Sequence, residues 1–164
     1  MYFIRPIQSK DNQQIAQIIR QVSQEFGLAP EAGFAVADPI LDHLYEVYQQ
    51  PNSQYWVIVD EHDNVFGGGG IVPLQGDTTL LEIQKMYFLA EIRGQGLARQ
   101  LLQQCFNFAQ QHQFSSCYLE TTASLFQAVK LYEKLGFIYL DQPKGHTGHS
   151  TACEIWMLKS IGTK

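Results

Sequence analysis

A strand, a glycine-bearing turn and a helix follow one another in Met86-Tyr87-Phe88-Leu89-Ala90-Glu91-Ile92-Arg93-Gly94-Gln95-Gly96-Leu97-Ala98. The first residues are apolar and typical of a buried strand, whereas an amphipathic pattern begins at Leu97 and continues to Gln111. A turn of this kind exposes several backbone N–H groups at the positive end of a helix dipole. The sequence therefore predicts an anion-binding site between Arg93 and Ala98.

Helical and strand patterns alternate irregularly on both sides of this turn, which favours one mixed α/β domain over residues 1–164 rather than regular βαβ units. The patterns predict strands at 2–7, 55–59, 65–72, 79–89, 117–121, 137–140 and 152–158. They predict helices at 12–22, 40–48, 97–111 and 124–135, with a loop at 27–40.

Local signals refine the boundaries of these elements. Ser124-x-x-Gln127 resembles a capping box at the start of the last helix, and Gly136 lies where a glycine commonly ends one. The run Gly67–Gly70 has no lysine-bearing helix start after it, so a phosphate-binding P-loop is disfavoured. A bulged strand is the expected structure there.

Composition and charge limit the class of protein. At 164 residues the chain is long enough to bury about 70% of its unfolded surface. The net charge of −5 argues against nucleic-acid binding, which needs a basic face, and is compatible with a cationic substrate. Apolar runs fall short of the roughly 20 residues that span a bilayer. The N-terminus does not resemble a signal peptide, so the expected location is the cytoplasm, without membrane binding.

Cysteine and histidine spacing supports neither a disulfide nor a metal site. Cys105, Cys117 and Cys153 form no CxxC pair and leave one residue over in any disulfide scheme, so reduced, buried thiols are expected. His146-x-x-His149 with Cys153 contains metal-ligand types without a fourth convincing ligand. We therefore expect no bound metal.

Two blocks of sequence resemble the GNAT superfamily of acetyl-CoA-dependent N-acetyltransferases. The first runs from Glu82 to Leu102 and contains Arg-x-x-Gly-x-Ala. The second is Leu119-Glu120-Thr121 followed by A-x-x-L-Y-E-K-L-G-F at 128–137. The resemblance implies a mixed, mostly antiparallel central sheet of about seven strands flanked by about four helices. It implies acetyl-CoA as co-substrate, and it leaves a homodimer open because GNAT domains often dimerise.

The resemblance assigns the first block to acetyl-CoA. Backbone amides of the turn would contact the pyrophosphate, Gly94 and Gly96 would let it approach without a Cβ in the way, and Arg93 would add positive charge. Main-chain groups of the preceding strand would hold the thioester arm, with Phe88 N–H polarising its carbonyl. The implied cofactor-binding set is Met86, Phe88, Arg93, Gly94, Gln95, Gly96, Leu97 and Ala98.

Two other interpretations of the turn stay open. Glycine there could serve only the shape of an ordinary strand-to-helix connection. A dinucleotide-binding turn is a poorer match, because Arg99 stands where the last Gly or Ala of that motif belongs.

Glu82 and Tyr132 occupy the positions of catalytic residues in many GNAT relatives. A base must take a proton from an ammonium of pKa about 10, and Glu82 would do so directly or through water. Tyr132 would protonate the departing thiolate. The alternative for Glu82 is a strand-end carboxylate that is solvated or paired with Lys85, and the alternative for Tyr132 is an aromatic anchor packed under the sheet. Glu120 and Glu154 are weaker candidates for the base.

The acceptor site is less well specified by sequence. The final hairpin borders it in the superfamily, which favours a role for His146 or His149, and the loop at 27–39 supplies Phe34 and Asp38 as further substrate contacts. A plain surface loop is the equal alternative for 27–39. Leu125 stands where many relatives have an asparagine that binds the pantetheine arm, so that contact must be lost or replaced, for example by Thr121, Thr122 or Ser124.

Together these features predict an N-acetyltransferase that transfers the acetyl group of acetyl-CoA to a primary amine of a small molecule or peptide. The amine would attack directly in a ternary complex. The alternative is a non-catalytic GNAT-like module that binds acyl-CoA or a metabolite. O-acetyl transfer or a longer acyl donor also stays open.

Overall fold

One seven-stranded sheet organises the residues that the computed structural model describes, which are 1–28, 34 and 38–162. Its order is β1-β2-β3-β4-β5-β7-β6, and every neighbouring pair is antiparallel except β4 and β5. The predicted mixed, mostly antiparallel sheet is confirmed. The strands are β1 (Phe3–Pro6), β2 (Gln54–Val59), β3 (Val65–Leu74), β4 (Asp77–Phe88), β5 (Ser116–Thr121), β6 (Ile138–Tyr139) and β7 (Ile155–Ser160).

Four α-helices within the described residues flank this sheet, as predicted. None of them is both long and apolar enough to cross a bilayer. Most of the predicted loop at 27–40 lies outside the described residues. The helices are α1 (Asn12–Glu25), α2 (Leu44–Val47), α3 (Leu97–Gln111) and α4 (Phe126–Lys134).

Alternation along β2 divides the interior into two apolar cores. Tyr55, Val57 and Val59 belong to the core under α1 and α2, whereas Trp56 and Ile58 belong to the core that α3 and α4 cover. Successive side chains of a strand point to opposite faces, so a strand buried on both sides is apolar throughout. This explains why the β2 sequence gives a continuous apolar run rather than an alternating one.

A β-bulge interrupts β4 opposite the four glycines. Gly68 pairs with Tyr87 and Gly70 with Gln84, so Lys85 and Met86 together face Gly69. Lys85 has φ +53°, and its carbonyl accepts a hydrogen bond from Tyr55 Oη at 2.7 Å. The sequence predicted a bulge in the glycine run itself, whereas here the extra residue lies on the partner strand β4.

The glycines of β3 make room for that hydrogen bond. A Cβ on Gly68 would lie 2.6 Å from the Tyr55 ring, and a Cβ on Gly70 would lie 2.6 Å from both the Tyr48 and Tyr55 rings. The close approach of these rings therefore requires glycine.

β4 and β5 separate soon after they meet. Their parallel pairing is confined to Leu81 with Cys117 and Glu82 with Tyr118. Beyond Glu82, β4 continues to Phe88 without pairing to β5. The gap between the two strands is where the cavities described below lie.

The predicted capping box at Ser124 is wrong. Ser124 lies inside a 3₁₀ turn (Ala123–Leu125), and α4 begins at Phe126. The Glu154 carboxylate accepts hydrogen bonds from Thr122 Oγ1 at 2.8 Å and Ala123 N–H at 2.7 Å, so a distant side chain stabilises this turn. The predicted end of the helix is confirmed by Gly136, which has φ +94°.

Candidate active site

A cleft of about 570 Å³ runs between the end of β4, the turn before α3 and the start of α4. It contains seven of the eight predicted cofactor-binding residues. The exception is Gln95, whose side-chain amide donates to Glu91 O at 3.1 Å instead of lining the cleft. The seven are Met86, Phe88, Arg93, Gly94, Gly96, Leu97 and Ala98.

The turn is held in a conformation that favours glycine. Gly94 has φ +77° and Gly96 has φ +78°, both in the left-handed region. A Cβ at either position would meet no protein atom within 4 Å, so the space beside both is open. Gly96 directly precedes α3, whose first amides have no partner within the helix. An anion site at this turn stays a prediction, because the left-handed backbone alone is reason enough for glycine.

Arg93 ties the turn to two other elements. Its Nε and Nη2 atoms donate to Phe88 O at 2.9 and 2.7 Å, and Nη1 and Nη2 donate to the Glu25 carboxylate of α1 at 2.6 and 2.9 Å. The guanidinium also lies 5.1 Å from the centre of the Phe26 ring. Its charge is therefore already paired. Fixing the turn to β4 is the role that these contacts assign to it, while a contact with an anion stays a prediction.

The amide of Phe88 faces the gap beside β4. Phe88 is aligned with Gly67, and Leu89 N–H donates to Phe66 O at 2.9 Å. In an antiparallel ladder this makes Phe88 and Gly67 a non-hydrogen-bonded pair, whose N–H and C=O groups point away from each other. The N–H of Phe88 thus points toward the side from which β5 has diverged, as the predicted oxyanion role requires.

A second cavity of about 70 Å³ adjoins the cleft. Glu82, Glu120 and His149 line it, and so does Phe34. It shares four lining residues with the cleft, which means that the two cavities meet along one wall. These residues are Met86, Tyr87, Leu125 and Tyr132.

Glu82 is a buried carboxylate with one free oxygen. The residue is 3% exposed; Oε1 accepts from Gln84 Nε2 at 2.9 Å, while Oε2 has no hydrogen-bond partner. Burial raises the pKa of Glu82 from 4.5 to about 7; the nearby His149 opposes this rise and Glu120 adds to it. Lys85 pairs with Asp38 at 3.3 Å, so the alternative of a Glu82–Lys85 ion pair is not what forms.

Glu120 is the most strongly hydrogen-bonded carboxylate of the cavity. Oε1 accepts from Thr147 Oγ1 and lies 3.1 Å from His149 Nδ1, while Oε2 accepts from Tyr118 Oη and Ser150 Oγ at 2.6 Å each. Although burial opposes ionisation, these hydrogen bonds keep the pKa of Glu120 below its usual 4.5. Glu120 is thus held in its ionised form.

Glu82, Glu120 and His149 are also residue types that bind metals, and their ligand atoms lie within 4.8 Å of one another. Hydrogen bonds already occupy both oxygens of Glu120. The donor set therefore gives no reason to add an ion.

Tyr132 stands in the wall between the two cavities. It is 7% exposed, its hydroxyl lies 4.0 Å from Met86 Sδ, and its ring packs edge-on against Phe137. Burial raises the pKa of Tyr132 above its ordinary value of 10, and Cys105 and Tyr87 add to the rise. The residue is both the packed aromatic of one interpretation and a protonated hydroxyl facing the cleft.

The four predicted substrate residues lie in different places. Phe34 and His149 line the small cavity, whereas Asp38 and His146 line neither one. Asp38 forms an ion pair with Lys85, and Lys85 does line the small cavity. The structure does not bring His146 to either cavity: its main-chain N–H donates to Gln75 O and its ring packs on Gly76, which holds it at the β3–β4 turn.

Sequence reasoning missed the hydrogen-bond partners of Glu120. Tyr118, Thr147 and Ser150 surround Glu120, but they come from two segments about thirty residues apart, and no local spacing links them. Leu125 forms part of both cavity walls, with Thr121 and Thr122 lining the smaller one. Of these two threonines, Thr122 already binds Glu154 through its hydroxyl.

The sequence and the fold match known proteins. The uncharacterized N-acetyltransferase YjgM of Escherichia coli is 50% identical over 159 residues, which cover 96% of this chain and 94% of that protein. A GNAT-family acetyltransferase structure from Staphylococcus aureus superposes with a TM-score of 0.85 at 17% identity, covering 99% of this chain and 100% of the other. A phosphinothricin acetyltransferase from Sinorhizobium meliloti, crystallised with acetyl-CoA, gives 0.75 at 20% identity, covering 98% and 89%.

The family comparison agrees with these likenesses. The Acetyltransferase (GNAT) family model matches residues 19–137, a range that contains the turn, Glu82 and Tyr132. Together with the confirmed sheet, this shows that the chain belongs to the GNAT family of N-acetyltransferases.

Proposed function

We propose that this protein transfers the acetyl group of acetyl-CoA to a primary amine of a small molecule or peptide. The amine attacks the thioester directly while both substrates are bound, so no acetyl group is carried on the protein. Acetyl-CoA lies in the large cleft, with its pyrophosphate at the turn from Arg93 to Ala98, and the amine enters the small cavity.

One observation carries this proposal: the two cavities meet at Tyr132 and Met86, with Glu82 on the far side. The cleft offers backbone amides for phosphate oxygens, and the small cavity offers a buried carboxylate for a cationic nitrogen. An amine beside Glu82 and a thioester beside Phe88 would approach each other across this shared wall. The acetyl-CoA complex of the S. meliloti enzyme, which has a similar fold, supports the choice of cofactor.

The residues along this path supply the steps of the reaction. Glu82 takes a proton from the ammonium group, and a base with a pKa of about 7 is suited to this at neutral pH. The nitrogen then attacks the thioester carbonyl, and Phe88 N–H stabilises the resulting oxyanion. The C–S bond breaks as Tyr132 gives its proton to the CoA sulfur.

A binding module without turnover is less favoured. An ionised carboxylate with a free, buried oxygen destabilises the folded state, and a module that only binds CoA has no need of one. The free Oε2 atom of Glu82 is instead what a catalytic base requires. A catalyst therefore needs Oε2 of Glu82 to be free, whereas a binding module does not.

The test is release of free CoA thiol from acetyl-CoA in the presence of single amines: spermidine, an aminoglycoside, L-aspartate and a dipeptide. The expected result is thiol release that depends on at least one amine, with the matching acetylated product detected by mass spectrometry. Tight CoA binding without release with any amine would favour the binding module instead.

A further inference from the structure

We propose that His149 carries the proton released in each turnover from Glu82 to solvent. This inference rests on the proposed function and adds a residue to it. Of the three protons on the nitrogen of a primary ammonium group, the product amide keeps one and the CoA sulfur receives one, by way of Tyr132. The third must leave the protein as H⁺.

The exit of this proton is a problem because its first acceptor is buried. The Glu82 side chain is 4% exposed and the Glu120 side chain 0%, whereas that of His149 is 16% exposed. The other titratable groups that line the small cavity in the described residues are also largely buried: Lys85 at 8%, Tyr87 at 9%, Tyr132 at 7% and Cys153 at 7%. His149 is thus the most accessible group that can both accept and release a proton here.

The hydrogen bonds of His149 orient it for this transfer. In the neutral form of the ring the proton lies on Nδ1, because Nδ1 is 3.1 Å from the ionised Glu120 carboxylate. Nε2 is then a lone-pair acceptor, and it lies 3.7 Å from Oε2 of Glu82. That oxygen has no other partner. A small rotation of either side chain closes the remaining distance.

Glu120 also stabilises the product of the transfer. When Glu82 gives its proton to Nε2, Glu82 becomes a carboxylate again and His149 an imidazolium. The imidazolium lies between two carboxylates, one at each ring nitrogen, and water at its exposed edge removes the proton. Glu82 and Lys85 face this site from β4, Glu120 from β5, and Cys153 Sγ lies 3.8 Å from Nδ1 within the same loop.

The chain contains a matched control for this residue. His146 lies three positions earlier in the same loop, but its ring packs on Gly76 and lines neither cavity. His149→Gln and His146→Gln therefore make the same chemical change, one inside and one outside the proposed path. His149→Ala adds a variant with space for a free imidazole molecule.

The experiment measures the rate with acetyl-CoA and whichever amine of the panel wild type uses fastest, with and without added imidazole. His149→Gln should lower kcat about tenfold to hundredfold, with little change in KM for acetyl-CoA. Imidazole should restore part of the rate of His149→Ala. His146→Gln should match wild type and not respond to imidazole.

Two results would overturn the relay. The first is a wild-type kcat in both His149 variants, and the second is a low kcat that imidazole leaves unchanged although circular dichroism shows a folded protein. Failure of the proposed function is a separate outcome, because wild type itself would then release no thiol with any amine.

Discussion

The large cleft and the small cavity are built in opposite ways. The cofactor contacts predicted for the cleft come from one continuous stretch, residues 86–98, where the main chain is expected to supply the binding groups. The small cavity is assembled from side chains of β4, β5 and the loop before β7, which are far apart in the sequence. Backbone groups at a turn give a site that depends on conformation, whereas clustered side chains give one that depends on charge and burial. Substitutions should therefore have different effects in the two places.

The largest effect is expected at Glu82 in the small cavity. Glu82→Gln removes the proposed base but keeps the shape, so kcat/KM should fall about 100-fold or more. In wild type, kcat/KM should rise with pH up to about 7, where Glu82 loses its proton, and then level off with respect to this group. Steady-state rates of thiol release across pH measure both effects.

Glu91→Gln is the matched control for that change. Glu91 is an exposed carboxylate in the 3₁₀ turn before Arg93, and it lines neither cavity. Its variant should keep the wild-type rate. A Glu82→Gln enzyme that turns over normally would remove the base from the mechanism.

Glu82→Gln should also stabilise the fold. Folding raises the pKa of Glu82 from 4.5 to about 7, so the folded state holds this proton more tightly than the unfolded state. The free energy of unfolding therefore falls as pH rises between these two values, by about 3 kcal/mol in total. Glutamine does not ionise. Glu82→Gln should be more stable than wild type at pH about 8 by up to this amount and nearly equal at pH about 4.

Denaturant unfolding at the two pH values measures this difference. A gain in stability together with a loss of activity would mean that the buried carboxylate is kept for function at a cost to the fold. Equal free energies of unfolding for Glu82→Gln and wild type at both pH values would mean that the Glu82 carboxylate is better solvated than its surroundings indicate.

A substitution of Tyr132 tests the proposed acid, which lies in the wall that the two cavities share. Tyr132→Phe keeps the packing against Phe137 and removes only the hydroxyl, so turnover should fall about tenfold or more while CoA affinity changes little. Tyr139→Phe makes the same change at a tyrosine that is 53% exposed on β6. Rates and calorimetric CoA titrations should separate the two variants, and equal turnover in both would exclude Tyr132 as the acid.

The smallest effect is expected in the cleft. Gly96→Val places a β-branched side chain at φ +78°, which costs about 1–2 kcal/mol and disturbs the amides before α3, so CoA should bind about tenfold more weakly. Gly162 has the same φ of +78° and equally open surroundings, so Gly162→Val matches the backbone strain away from the cleft. Calorimetry showing equal CoA affinity in both variants would mean that the turn is not the phosphate site.

Local patterns allowed most of the fold to be predicted. The helix at 97–111 and the end of α4 at Gly136 were predicted correctly because periodicity and a left-handed glycine act over a few residues. The cap at Ser124 was predicted wrongly because the side chain that binds this turn is Glu154, about thirty residues away, whose carboxylate accepts from Ala123 N–H. Boundaries that depend on distant side chains cannot be predicted from local spacing.

The two histidines of the last loop mark the boundary between what sequence and structure decide. By itself the sequence determined the mixed sheet, the strand–turn–helix at 86–98 and the residue types that suit acetyl transfer, because these follow from local periodicity, glycine and motif order. It did not distinguish His146 from His149, which are the same residue type in the same loop. Only the tertiary structure placed one on Gly76 and the other between Glu82 and Glu120. The physical reason is that burial and charge are properties of neighbours in space, and folding alone selects those neighbours.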